Sequence, residues 1–234
     1  GSSARVTLEA TTGGITVNAT ITTTGNTAGA GGEIYLHNIG AGTITIGAAV
    51  TAKGGTGAST GGATVTVVNE AGAIAVNAFI DVSKGGGTAD GTIALQASGN
   101  ITEGAAGGLT GDTDGKLLAY STGGKIQLDI KANNTMATAA FKTDTASGTD
   151  GTVTYKDNTA LTIGSVTDSG VLASPSLLGA IDVASGVGTV SGITTVAGAT
   201  SNFGDVVVET GGLLTVSNAV STVAGAAGSS ARVL

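Results

Sequence analysis

One spacing constrains this chain more than any other feature. Gly14-Ile-Thr-Val-Asn-Ala-Thr-Ile21, Thr43-Ile-Thr-Ile-Gly-Ala-Ala-Val50 and Ala73-Ile-Ala-Val-Asn-Ala-Phe-Ile80 are three versions of one segment. Their first isoleucines, Ile15, Ile44 and Ile74, come at intervals of 29 and then 30. A second run, Ile34/Leu36, Val65/Val67 and Ile93/Leu95, follows at intervals of 31 and 28. Leu213-Leu-Thr-Val-Ser-Asn-Ala-Val220 repeats the first segment near the other end. Within each run apolar residues alternate with polar ones, the period of a strand with one buried face. A unit of this size cannot bury its own apolar row; stacked on copies of itself, it builds a continuous core.

The expected fold is all-β: a right-handed parallel β-helix of about eight coils, each of roughly 28–30 residues. With adjacent coils about 4.7–4.9 Å apart, it makes a rod on the order of 40 Å long. One side of each short strand is core and the other is expected to meet water. Composition agrees. Gly (42 of 234 residues) supplies corners, a single Pro and no strict three-residue period exclude collagen, and helix formers are scarce. Asn18 and Asn77, with Gly47 between them, share the slot after the first strand, where φ > 0 is expected. The pairs Gly31-Gly32, Gly61-Gly62 and Gly86-Gly87 are expected at sharp corners.

The organisation reads as one solenoid over residues 1–234, with regular coils in 1–100 and 191–234. Irregular coils carrying insertions occupy 101–190. Met136 to Phe141 has the composition of a short helical turn on the rod's side, and Pro175 marks a surface excursion. A longer repeat overlies the coils. Gly1-Ser-Ser-Ala-Arg-Val6 recurs at Gly228-Ser-Ser-Ala-Arg-Val233, an offset of 227 that contains the chain's only two arginines. A cloning scar would also duplicate a hexapeptide, but joining the end to residue 7 preserves the coil rhythm. One period of about 227 residues from a larger array is therefore expected.

Charge and residue types exclude several functions. A net charge of −7, with the basic residues scattered singly, offers no nucleic-acid groove. No apolar stretch approaches a transmembrane span. Without Cys there are no disulfides, thiolate metal sites or cysteine nucleophiles.

The ordered series GGITVNATI, GTITIGAAV, GNITEG, LTGDTDGKLLAYSTGGKIQLD, NNTMATAAF, NTALTIGSV and GLLTVSNAV resembles the repeat region of bacterial filamentous haemagglutinin-type large exoproteins of two-partner secretion. The resemblance runs along essentially the whole chain. It implies a β-helix shaft in a very large extracellular or cell-surface protein, used in adhesion or filament building and exported through an outer-membrane transporter. The family's N-terminal secretion motif is not seen, neither arginine is followed by Gly-Asp, and no functional residue transfers.

Chemistry finds little to use. His37, the sole histidine, reads as a surface turn residue rather than part of a triad or zinc site. A polysaccharide-binding or -cleaving β-helix is the rival. It would draw on Glu103, Asp112, Asp114 and Asp129 with Lys116 and Lys125, yet Asp-Gly is ordinary turn chemistry and Trp is absent. Asp90-Gly and Asp112-Thr-Asp114-Gly resemble the turns of calcium-binding β-rolls, but without the tandem nine-residue period they suggest at most a structural calcium. The Gly-rich loops complete no phosphate fingerprint. Asn-x-Thr at Asn18, Asn100 and Asn133 is what a Thr-rich chain yields by chance. Thr43/Thr45, Thr64/Thr66 and Thr152/Thr154 suggest an ice-binding hydroxyl column, which Ala75 would interrupt.

The expected function is a non-catalytic shaft segment, without catalytic, cofactor or metal site, in a secreted or surface filament. Its expected partners are its own neighbouring repeats, end to end, and host-cell or surface glycans. The ends are expected to be covered either by adjoining segments of a longer chain or by head-to-tail subunits.

Overall fold

The structure is a computed structural model, and it describes residues 4–57, 61–87, 89–129, 134–144, 151–168, 187–196, 204–223 and 232–234. Among the described residues the strands wind into a parallel β-solenoid, apart from one hairpin, consistent with right-handed crossovers. The first coil comprises β1 (Val6–Ala10), β2 (Ile15–Val17) and β3 (Ile21–Thr22). The next three repeat it: β4 (Ile34–Asn38), β5 (Ile44–Ile46) and β6 (Val50–Thr51); β7 (Val65–Asn69), β8 (Ile74–Val76) and β9 (Phe79–Asp81); β10 (Thr92–Ala97), β11 (Ile101–Glu103) and β12 (Gly108–Thr110). Beyond them lie β13 (Lys116–Ser121), β14 (Ile126–Leu128), β15 (Thr138–Thr143), β16 (Val153–Asp157) and β17 (Leu161–Ile163). An antiparallel hairpin, β18 (Ser165–Asp168) with β19 (Gly188–Ser191), precedes β20 (Ile193–Val196), β21 (Val206–Thr210), β22 (Leu214–Val216) and β23 (Val220–Val223).

Three faces result. The first stacks β1-β4-β7-β10-β13-β15-β17-β22, with β20 and β23 completing its last two rungs; the second stacks β2-β5-β8-β11-β14-β16-β21; the third is only β3-β6-β9-β12. Equivalent residues pair with equivalent residues: Ile15 with Ile44, Ile44 with Ile74, and Ile74 with Ile101. Inward residues Ile34, Val65, Ile93, Leu117 and Ala139 form one column of a single continuous core.

The regular coils keep the expected period: Val6 pairs with Ile34, and Ile34 with Val65. The middle is irregular in two ways. Ile93 pairs with Leu117 and Leu117 with Ala139, so these coils are shorter than those before them. The third face then shrinks to one bridge, Thr110 to Thr135. Among the described residues a hairpin is inserted, which leaves the first face at Gly164 and returns at Gly192, whose N–H donates to the Gly164 carbonyl at 2.8 Å. Met136–Phe141 is not helical. Ala139 and Phe141 point inward on β15, where the open edge of β13 recruits them into the ladder. Pro175 and Asn133 fall outside the described residues.

The first face is also not open to water. Val166 and Val190 of the hairpin pack on the outward residues Ala94, Leu118 and Ala140, and Val187 reaches Tyr35 and Val68. All five positions of β4 and of β7 are consequently buried.

Corner chemistry lies elsewhere than expected. Asn18 and Asn77 are not left-handed; among the described residues the non-glycine with positive φ is Asp112, at 41°. The working asparagines end β4 and β7. Asn38 donates to the Gly40 and Gly42 carbonyls and to Asn69 Oδ1, and Asn69 donates to the Gly42 and Ala73 carbonyls at 2.9 and 2.7 Å. The corner glycines are required by closeness. A Cβ on Gly62 would stand 1.8 Å from the Val82 carbonyl oxygen of the same coil's far side.

Candidate functional site

The polar residues singled out by sequence do not converge. Glu103 ends β11 inside the solenoid, fully buried, and accepts from Asn134 Nδ2 at 3.2 Å. Asp112 and Asp114 are exposed on the turn that follows β12, whereas Asp129 lies just past β14. Lys116 is exposed, and the Lys125 backbone N–H donates to Asn100 Oδ1. Asp90 is occupied by two backbone donors, Lys84 N–H and Asp114 N–H, both at 2.7 Å. Lys84 Nζ meets Asp114 at 3.4 Å and also donates to Thr113. These turn carboxylates therefore knit two coils together, and among the described residues no three His, Asp or Glu side chains form a metal-holding group.

A groove of about 550 Å³ opens where the third face ends, lined by Lys84, Asp112, Thr113, Thr135, Ala137, Thr159 and Ala160. Among the described residues it carries no aromatic platform for a sugar, and its one carboxylate is Asp112. The threonine column is equally discontinuous. Thr16 and Thr45 are followed outward on the second face by Ala75, Thr102, Gln127, Thr154 and Val207, while Thr66 lies buried on the first face.

His37 corrects the surface reading: its side chain is 0% exposed. Nδ1 faces Glu9 at 3.1 Å and Nε2 faces Glu70 at 2.9 Å. Both ring nitrogens thus face carboxylates of the neighbouring coils. Glu9 was legible as a neighbour, because it precedes His37 by one coil and pairs with it across the ladder. Four rungs further along the same face, Lys142 pairs with Asp144 at 2.7 Å and lies over the Tyr120 ring. Burial and then the Asp144 hydrogen bond raise the Tyr120 phenol, and the Asp144 hydrogen bond raises the Lys142 ammonium.

Among the described residues, the outermost rungs of the ladders pair on one side. At one, β1, β2 and β3 each pair on a single side, with Leu8 exposed. At the other, β22 and β23 pair only downward, leaving Leu213 (74%) and Val216 (57%) exposed together with Leu214 and Val223. Apolar side chains alternate there as in the core. The tail provides one fragment of a further rung: Val233 bridges Val206 in parallel, Val206 N–H donates to the Arg232 carbonyl, and Leu234 N–H donates to the Val206 carbonyl. Arg232 grips Asp205 through its backbone N–H at 2.8 Å and Nη2 at 2.7 Å, and that hydrogen bonding holds the Asp205 carboxyl below its ordinary range. Among the described residues no helix is long and apolar enough to cross a membrane. No protein-family model, curated protein or solved structure matches the chain.

Proposed function

We propose that the chain is a structural, non-catalytic shaft segment of a secreted or cell-surface bacterial filament or adhesin, of the filamentous haemagglutinin type that its repeats resemble. One observation carries this reading. Equivalent residues of successive coils pair in parallel along the first and second faces over one continuous apolar core. Coils stacked in this way extend as a rod. Reach is then the property supplied, with export through an outer-membrane transporter and contact with surface glycans belonging to the parent assembly. The scattered carboxylates of the middle coils give the polysaccharide-cleaving alternative no support.

Electron microscopy of the purified chain tests this. Unbranched fibres with an axial repeat near seven to eight strand spacings, roughly 35 Å, are expected. Compact monodisperse particles at all concentrations would sink the stacking reading. Binding of those fibres on a glycan array, expected above that of an unrelated solenoid, tests the adhesive part.

A further inference from the structure

In a solenoid each coil touches only its neighbours, so a stack under load parts at its weakest step. The weakest step can be located here. Among the described residues the third ladder stops at β12, and beyond it the rungs of β13 and β15 keep two ladders and the one bridge from Thr110 to Thr135. The hairpin lies on those same two rungs. Val166 and Val190 pack with Leu118 of β13 and Ala140 of β15, and with Ala94 of β10 just before them.

Both feet of the hairpin are fixed to β15. Gly164 N–H donates to the Ala139 carbonyl at 3.1 Å, and Phe141 N–H donates to the Gly192 carbonyl at 3.0 Å. Gly192 turns the chain there at a φ of 71°, a conformation glycine adopts freely. The far part reaches further down the stack. The buried Asp168 accepts from Thr66 Oγ1 of β7 at 3.3 Å and from Val187 N–H, just before β19, at 3.1 Å. Val187 packs with Tyr35 of β4 and Val68 of β7. Moving away from its feet, the hairpin therefore meets successively earlier rungs and lies across the solenoid strands. Thr66 and Asp168 are 102 residues apart, whereas strands joined in a ladder are about one coil apart.

We infer that the hairpin is a strap that binds the first-face rungs β4, β7, β10, β13 and β15 into one mechanical unit and splints the shaft where its third ladder ends. Tension along the rod that parts any two of these rungs must also strip Val166 and Val190 from their apolar strip or pull Asp168 and Val187 from β7 and β4. Because the strap lies along the line of pull, these contacts are loaded together rather than one after another. Coils that otherwise depend on their nearest neighbours become a cooperative block. The inference rests on the shaft reading for the direction of load, and adds to it a device that carries that load.

Single-molecule pulling of the full chain, held by tags joined to its two ends, tests this. The stretch from Ile34 to Ser191 is expected to release in one event of about 550 Å of contour length. Val166→Asp with Val190→Asp puts charge against the apolar strip and frees the strap. The same stretch should then release in steps of one coil, roughly 80–100 Å each. Val166→Ala with Val190→Ala keeps the strip apolar and carries the test if the charged pair fails to fold. It should show the same stepwise release, and amide hydrogen exchange on β13 and β15 at least about tenfold faster while β2 is unchanged. Coil-by-coil release in the parent chain overturns the strap, and so does a single event that survives in every folded variant. Electron microscopy of the parent separates the two readings. Fibres without a single event remove the strap alone, whereas a single event without fibres removes the shaft reading and leaves the coupling of the rungs.

Discussion

The coils up to β12 and the coils after it solve the same problem with different interiors. Where the coils are long, as from Val6 to Ile34 and from Ile34 to Val65, three ladders enclose a space filled by Ile, Val and Leu. Where they shorten, as from Ile93 to Leu117 and from Leu117 to Ala139, the third ladder ends and the interior becomes partly polar. Asn134 bridges the narrowed corner, donating to Glu103, to the Leu128 carbonyl and to the Lys156 carbonyl, while its Oδ1 accepts from Leu109 N–H. Asp157 accepts from Tyr155 Oη, Met136 N–H and both the N–H and Oγ1 of Thr159. Coil length therefore sets how many ladders a turn supports. A lost ladder strands backbone donors that side chains must then satisfy.

The strongest test of that contrast removes one member from each interior. Asp157→Ala leaves the buried Met136 N–H and Tyr155 hydroxyl without their acceptor and is expected to cost about 4 kcal/mol. Ile74→Ala in the apolar half removes packing alone and should cost roughly 3 kcal/mol. Urea unfolding of both variants checks this. A loss for Asp157→Ala below about 1 kcal/mol would mean that the polar network is incidental to the short coils.

A smaller effect separates corner glycines by closeness. At Gly62 the nearest obstacle to a Cβ is backbone, the Val82 carbonyl at 1.8 Å, whereas at Gly47 it is the Val17 carbonyl at 3.1 Å. Gly62→Ala should cost about 2 kcal/mol by forcing the main chain apart, and Gly47→Ala less than about 1 kcal/mol. Equal melting temperatures for the two variants would show that the regular coils yield freely.

How far the sequence foretold all this follows the same division. Ile15, Ile44 and Ile74 announced the period, the ladder partners and the inward column, since each repeats the local pattern that its own coil obeys. The short coils were not legible, because a column is recognised by its spacing and the spacing is what changed; Leu117 and Ala139 pair with no local sign of their closer approach in sequence. Burial of the first face was hidden for another reason. Thr66 meets Asp168 from far along the chain, and no period connects a solenoid strand to a hairpin that leaves the stack. His37 looked like a surface turn because the strand containing it was read as facing water. The candidate carboxylates failed as a site because they were grouped by nearness in sequence, which in a coil places successive residues on different faces.

The smallest effect sharpens the comparison through pH. Burial, reinforced by Asp157 and by Glu103, pushes the Tyr155 phenol well above its ordinary range. In the unfolded chain the same phenol ionises near pH 10. Between that value and the raised folded one, the native state keeps a proton that the unfolded state has released. Stability that is complete below about pH 10 is then lost as pH rises, by about 1.4 kcal/mol per unit for this one group. Tyr155→Phe removes that dependence while costing about 1 kcal/mol at neutral pH through the lost hydrogen bond. Between about pH 9.5 and 11 the urea midpoints of the two proteins should approach each other and then cross, because lysines and the other tyrosines titrate equally in both. Midpoints that fall in parallel would place Tyr155 in contact with solvent, and would remove with it the claim that the narrow coils enclose their polar groups as completely as the wide coils enclose their aliphatic ones.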